Sequence, residues 1–259
     1  MSNIDFTKSE QYTLSIRLSA DGFSFSVHTL TNGECLFMDT FAVNTSYSLT
    51  ANLKEMLAST SALQYRYKQT NILIDTPRFT TIPFELFEDE QTEELFYQNF
   101  AKSNHETILC NILGKSNVAL LFGMDKYAHQ LLCEHFPKVR IFACISPLTE
   151  FFAQQSQESS CRKLYAHIKK TSMEILAFEK GKLLIVNTFP CQHINDRIYY
   201  LLYIWQQLGF SQEKDQLWLA GDTKEEELLT ELNKFLRQVN IQPAQGKLPF
   251  DIQTLMTCE

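Results

Sequence analysis

The chain has no long apolar run: nowhere in its 259 residues is there a stretch near the roughly 20 apolar residues that cross a bilayer as a helix. Its first residues are polar and hold no apolar signal core. Both absences lead to the expectation of a cytoplasmic protein without membrane insertion. Clusters of Lys and Arg are also missing, and a formal charge of −7 argues against a nucleic-acid partner gripped through its phosphates. The seven cysteines include no Cys-x-x-Cys pair, and their odd number and irregular spacing suit a reducing compartment. His129 and Cys133 stand four apart on a predicted helix that also carries His135, too few ligands for a closed metal site, so no metal is expected.

The common catalytic motifs are absent as well. Gly114-Lys115-Ser116 ends like a phosphate-binding loop, but the first glycine such a loop needs would fall at Leu109. A hairpin turn between Thr107–Leu113 and Asn117–Phe122 fits these residues better. There is no Gly-x-Ser-x-Gly elbow, and no Gly-x-Gly-x-x-Gly follows a strand, so no catalytic residue is assigned. A low-complexity linker is missing too, and the polar run Gln154 to Ser160 is the best boundary.

What is present is a repeated order of elements. Tyr12, Leu14, Ile16 and Leu18 alternate with Thr13, Ser15, Arg17 and Ser19, the two-residue period of a strand with one buried face. Asp21-Gly22 reads as the turn that follows. Phe23, Phe25 and Val27 alternate in the same way, and a third apolar run extends from Glu34 to Val43. Leu49, Leu53, Met56 and Leu57 recur at helical spacing, and Asn71 to Asp75 is a short strand of the buried type. The order returns with strands at Lys163–Lys169, Met173–Phe178 and Leu183–Phe189. A long helix carrying Ile194, Ile198, Leu201 and Trp205 comes next, then a strand at Gln216–Ala220. This succession predicts a duplicated architecture.

Between the copies lies a small α+β segment. Pro77 and Pro83 keep residues 76–87 extended, and the acidic start Glu88-Asp89-Glu90 predicts a helix through Phe100. A hairpin, a helix over Asp125–Phe136, a strand at Val139–Phe142 and a helix from Ser146-Pro147 complete it.

In its order of elements the chain resembles actin-like ATPase-fold proteins, most of all the assembly branch of the pilus protein PilM, the division protein FtsA and the cytoplasmic part of the secretion protein GspL. It also resembles a Bacteroidetes family known as domain of unknown function 3822. The resemblance implies an α/β fold of two ribonuclease H-like lobes with a small α+β subdomain inserted in the first. The lobes would span 1–155, with the insertion at about 84–145, and 160–259.

The resemblance also implies where a nucleotide site would lie. The first hairpin of such proteins carries Asp-x-Gly-[Thr/Ser], whereas this chain has Asp21 and Gly22 adjacent and then Phe23. The second hairpin is Lys169-Lys170-Thr171-Ser172, with neither carboxylate nor glycine. The adenosine loop, usually an apolar strand ending in Gly-Gly, reads Leu217 to Gly221 and then Asp222. Asp21, Gly22, Lys169, Lys170, Thr171, Ser172, Gly221 and Asp222 are therefore vestigial nucleotide-site positions, and no cofactor is expected. The implied function is a noncatalytic protein-binding or scaffold module with an unidentified protein partner. The alternative is a divergent ATP- and Mg-dependent kinase, ATPase or switch. The terminal segment Leu248 to Met256 is short and has no Lys or Arg, which predicts a piece docked on the body.

Overall fold

A computed structural model of the protein describes residues 4–20, 22–29, 34–222, 226–244 and 248–256. In chain order the elements are β1 (Tyr12–Ser19), β2 (Gly22–Thr29), β3 (Cys35–Phe41), α1 (Leu49–Ser59), β4 (Gln69–Ile74), β5 (Phe79–Pro83) and α2 (Thr92–Tyr97). Next come β6 (Glu106–Leu113), β7 (Val118–Asp125), α3 (Lys126–His135), β8 (Arg140–Ala143) and α4 (Ile145–Ser156). The remainder is β9 (Lys163–Ile168), β10 (Ser172–Glu179), β11 (Lys182–Pro190), α5 (Ile194–Gln207), β12 (Gln216–Gly221), α6 (Glu226–Leu232), β13 (Val239–Ile241) and α7 (Phe250–Met256). The chain divides into two units, Met1–Ile112 with Ala119–Ser146, and Leu113–Val118 with Pro147–Glu259.

The first unit is built on a five-stranded sheet in the order β3-β2-β1-β4-β8. Alternation in β1 puts Leu14, Ile16 and Leu18 opposite Val27, Phe25 and Phe23 of β2, and all six are buried. The other face of the same strands pairs Thr13 with His28, Ser15 with Ser26 and Arg17 with Ser24, a row of small polar groups and one cation. Helix α1 buries Leu53, Met56 and Leu57, and α3 buries Ala128 and Leu132. Buried Asn52 fixes the entry to α1: it accepts from the Asn44 N–H and donates to the Asn44 and Ser48 carbonyls, which satisfies loop backbone that burial would otherwise strand.

A three-stranded sheet in the order β5-β7-β6 forms the inserted part. Its organising contact is a bidentate ion pair, in which Arg78 Nε and Nη2 donate to the two Glu106 oxygens at 2.8 Å each. The guanidinium also donates to the Ala101 carbonyl and lies 5.0 Å from the Phe100 ring centre and 5.6 Å from that of Phe96. Gly123 makes room for this pair, because a Cβ there would collide with the Glu106 carboxylate. Asn111 ties β6 to the neighbouring sheet, donating to Ile141 O and accepting from Ala143 N and Ser146 Oγ. The expected helix over 88–100 is instead a 3-10 turn at Asp89–Gln91 followed by α2, which ends at Tyr97.

The second unit repeats the strand order as β11-β10-β9-β12-β13. Its core joins Leu164, Ala166, Ile175, Leu217 and Leu219 to Leu201, Trp205, Leu228 and Leu232 of α5 and α6. Helix α5 starts with a capping box, the Asp196 carboxylate accepting from the Gln192 and His193 N–H groups. In the sequence Thr223 and Glu226 read as a capping box for a helix from Lys224 to Arg237; that helix ends at Leu232, and Leu236 lies beyond it in the core. Its expected cap at Thr223 lies outside the described residues. At the end of the chain Phe250, Ile252 and Leu255 are buried, and Phe250 packs on Phe151 and Phe152 at ring distances of 5.7 and 5.9 Å.

Urea unfolding checks the Arg78–Glu106 clamp. Gly123→Ala and Glu106→Ala are each expected to cost about 1–3 kcal/mol, and the double variant far less than their sum, since both break one ion pair. Additive costs would show that Gly123 serves some other purpose.

Candidate functional site

The two hairpins where the implied site would lie are both tight. Register pairs Ser19 with Gly22, so only Ala20 and Asp21 connect β1 to β2. Gly22 is the first residue of β2, with φ +147°. Asp21 lies outside the described residues. In the second unit the Lys169 N–H donates to Ser172 O at 2.9 Å, leaving Lys170 and Thr171 as the connection.

Two further backbone bonds align the lobes residue by residue. The Asp75 N–H donates to Leu18 O, and the Asp222 N–H to Ile168 O, both at 2.9 Å. Asp75 thus corresponds to Asp222, Arg17 to His167, Ser24 to Glu174 and Gly22 to Ser172.

One acidic group near each hairpin, Asp75 in the first unit and Glu174 in the second, holds a cation. In the first unit Asp75 Oδ2 accepts from Arg17 Nη2 at 2.8 Å and from Ser19 Oγ at 3.1 Å. In the second unit Glu174 sits inside the sheet, its side chain 2% exposed. Lys169 Nζ donates to Oε1 at 2.6 Å, and His167 Nδ1 lies 2.7 Å from Oε2. A carboxylate only accepts, so Nδ1 carries the proton. Burial alone would raise the Glu174 carboxyl, but the Lys169 ammonium and the bond from His167 outweigh it and hold the group down at about 2.

The rest of the second hairpin is fixed from outside. Buried Arg197 on α5 donates from Nη2 to Lys169 O at 3.0 Å, and the Cys191 N–H donates to Thr171 O at 3.0 Å. Lys170 and Thr171 are exposed. Gly221 ends β12 with φ +82°, and a Cβ there would collide with Ile168 O and the His167 ring. This glycine is required by its own strand. Asp222 is exposed beside it.

The structure therefore brings Lys169 together with His167, Glu174 and Arg197, and sets Gly221 against His167. Arg197 Nη2 also reaches the Lys170 carbonyl, at 3.5 Å. His167, Glu174 and Arg197 went unnoticed in the sequence, although one signal was there: a lone Glu inside the apolar run Met173 to Phe178 demands a buried cation nearby. Among the described residues no group of three or more His, Cys, Asp or Glu side chains is placed to hold a metal ion. His129 Nε2 and Cys133 Sγ lie 3.6 Å apart, while His135 faces Leu63 O. A shallow cavity of about 410 Å³ in the first unit lies between Ser48, Lys54, Asp125 and Glu134.

Two sheets of one strand order, with a three-stranded insertion in the first unit, define an actin-like ATPase fold of two ribonuclease H-like lobes. Solved structures bear this out. A Bacteroides thetaiotaomicron protein with actin-like ATPase fold and unknown function is 48% identical over 99% of each chain, with a TM-score of 0.90. The PilM–PilN type IV pilus biogenesis complex is 11% identical over 89% of this chain and 88% of the other, with a TM-score of 0.51. Residues 1–239 match the family described as protein of unknown function (DUF3822), and the chain belongs to that family. No curated protein matches it.

Two outcomes follow from this geometry. Gly221→Ala is expected to cost roughly 1–3 kcal/mol in urea unfolding, from the positive φ and the collision with Ile168 O; wild-type stability would contradict it. Glu174 has a folded pKa below its unfolded one, so its contribution is complete above pH about 4.5 and falls away as the pH drops towards 2. That contribution is on the order of 3 kcal/mol. The stability gap between wild type and Glu174→Gln should therefore narrow between pH 6 and pH 3, and a constant gap would show that the ionised form is not the stabilising one.

Proposed function

We propose that this protein is a noncatalytic member of the actin-like ATPase fold that acts as a protein-binding or scaffold module in the cytoplasm. One observation carries the reading: in both lobes the carboxylate near the hairpin is bound to a cation of the same lobe, Asp75 by Arg17 and Glu174 by Lys169. Metal-assisted phosphoryl transfer needs a carboxylate with oxygens open to hydrated Mg²⁺ and backbone that approaches phosphate closely. Glu174 has both oxygens engaged, and the second hairpin has Ser172 where the first has Gly22. These residues do not fit Mg-ATP.

A fold kept without that chemistry retains surfaces for recognition. The structurally similar PilM was solved in a type IV pilus biogenesis complex with PilN.

Titration calorimetry with Mg-ATP tests the reading. No saturable heat is expected up to millimolar nucleotide. Micromolar binding that is lost in Lys170→Glu, a change at an exposed turn residue that spares the ion cluster, would establish the nucleotide-dependent alternative.

A further inference from the structure

The inserted part carries an exposed surface of unusual composition. From Phe79 to Ala101 there is no Lys, Arg or His, while Glu85, Glu88, Asp89, Glu90, Glu93 and Glu94 supply six carboxylates. Among the described residues Glu88, Asp89, Glu90, Glu93 and Glu94 make no ion pair, and all five are exposed. Within the same run two large apolar side chains face solvent, Phe84 at 47% and Leu86 at 70% exposure. The 3-10 turns Phe84–Leu86 and Asp89–Gln91 hold this run as ordered backbone.

The neighbouring strand extends the surface. The Cys110 thiol of β6 is pushed up to about 11, first by burial and then by the Asp89 charge, which sets Asp89 beside that strand. Ile112, two residues on and so on the same face of β6, is 53% exposed. Apolar side chains thus stand out beside Glu88, Asp89, Glu90, Glu93 and Glu94, which form no ion pair among the described residues. Water solvates such carboxylates well but not a Leu exposed to that extent, so the two features together fit a partner that brings both cations and apolar anchors.

We propose that Phe84, Leu86 and the carboxylates from Glu88 to Glu94 form the docking surface for a cationic amphipathic protein segment, one in which Lys or Arg alternates with apolar anchors. Charge complementarity selects this occupant. An anionic lipid surface or a nucleic acid would be repelled, and a second copy of a chain of formal charge −7 would bring the same carboxylates face to face. The inference rests on the protein-binding reading above and names the chemistry of the partner.

The test uses the full chain and a fluorescent amphipathic peptide of leucine and lysine, followed by anisotropy at low and high salt. Wild type is expected to bind it, and its leucine and glutamate counterpart not to bind. Phe84→Ser with Leu86→Ser should weaken binding at least ten-fold. Glu88→Gln, Asp89→Asn and Glu90→Gln together should weaken it about five-fold and flatten the salt dependence. Glu226→Gln with Glu227→Gln, on the acidic helix of the other unit, should leave it within two-fold. All these side chains are exposed, and amide-shift mapping on wild type gives an independent readout, with shifts expected at residues 84–94 and 108–112. Equal binding by wild type and the Phe84/Leu86 variant, binding of the acidic peptide, or self-association abolished by that variant would overturn the proposal. Saturable Mg-ATP binding would instead count against the protein-binding reading while leaving this titration as it stands.

Discussion

A carboxylate buried in the middle of a β-sheet determines the second lobe. Glu174 lies among Met173, Ile175 and Leu176, where an unpaired charge would cost several kcal/mol. It persists because Lys169 and His167 each take one of its oxygens. Lys169 in turn sits where its backbone is held by Arg197 from α5. The His167 ring faces Phe250 of α7 at 5.9 Å and fills the space a side chain at Gly221 would need. One ion cluster thereby sets the hairpin, constrains the residue at the end of β12 and provides part of the floor on which the terminal helix packs.

The first lobe reaches the same state by other means. With His167 and Glu174 replaced by Arg17 and Ser24 at the equivalent positions, the cation turns to Asp75 on the adjacent parallel strand. The frame recurs in both lobes while the pairing is rebuilt: Asp75 holds Arg17 and Ser19 on one oxygen, and Glu174 has both oxygens engaged. Ligand chemistry needs groups that are held in place yet still open on one side. Closed pairs supply rigidity to the strand ends, and their desolvation cost makes them hard to reopen for a ligand.

Much of the architecture was legible in the sequence because the strands obey simple alternation. Leu14, Ile16 and Leu18 against Thr13, Ser15 and Arg17 give β1 and its buried face directly, and the return of the same order after Lys163 gives the second sheet. Element ends were less legible: α2 stops at Tyr97, short of Phe100, and α6 stops at Leu232, with Leu236 beyond it in the core. The candidate site was legible only as positions. Lys169 and Gly221 stand out in the sequence, but their meaning depends on Glu174 and His167, which meet through strand pairing and not through any spacing along the chain. Gly221 shows the difference most clearly. In sequence it resembles half of a nucleotide loop, and in space it is the one residue that fits between Ile168 O and His167.

The most direct test is an NMR pH titration of the Glu174 side-chain carboxyl carbon in the intact protein, with and without millimolar Mg-ATP. The closed cluster predicts an inflection near 2, unmoved by nucleotide. An inflection in the ordinary glutamate range of about 4.3, or one that shifts when Mg-ATP is added, would contradict it.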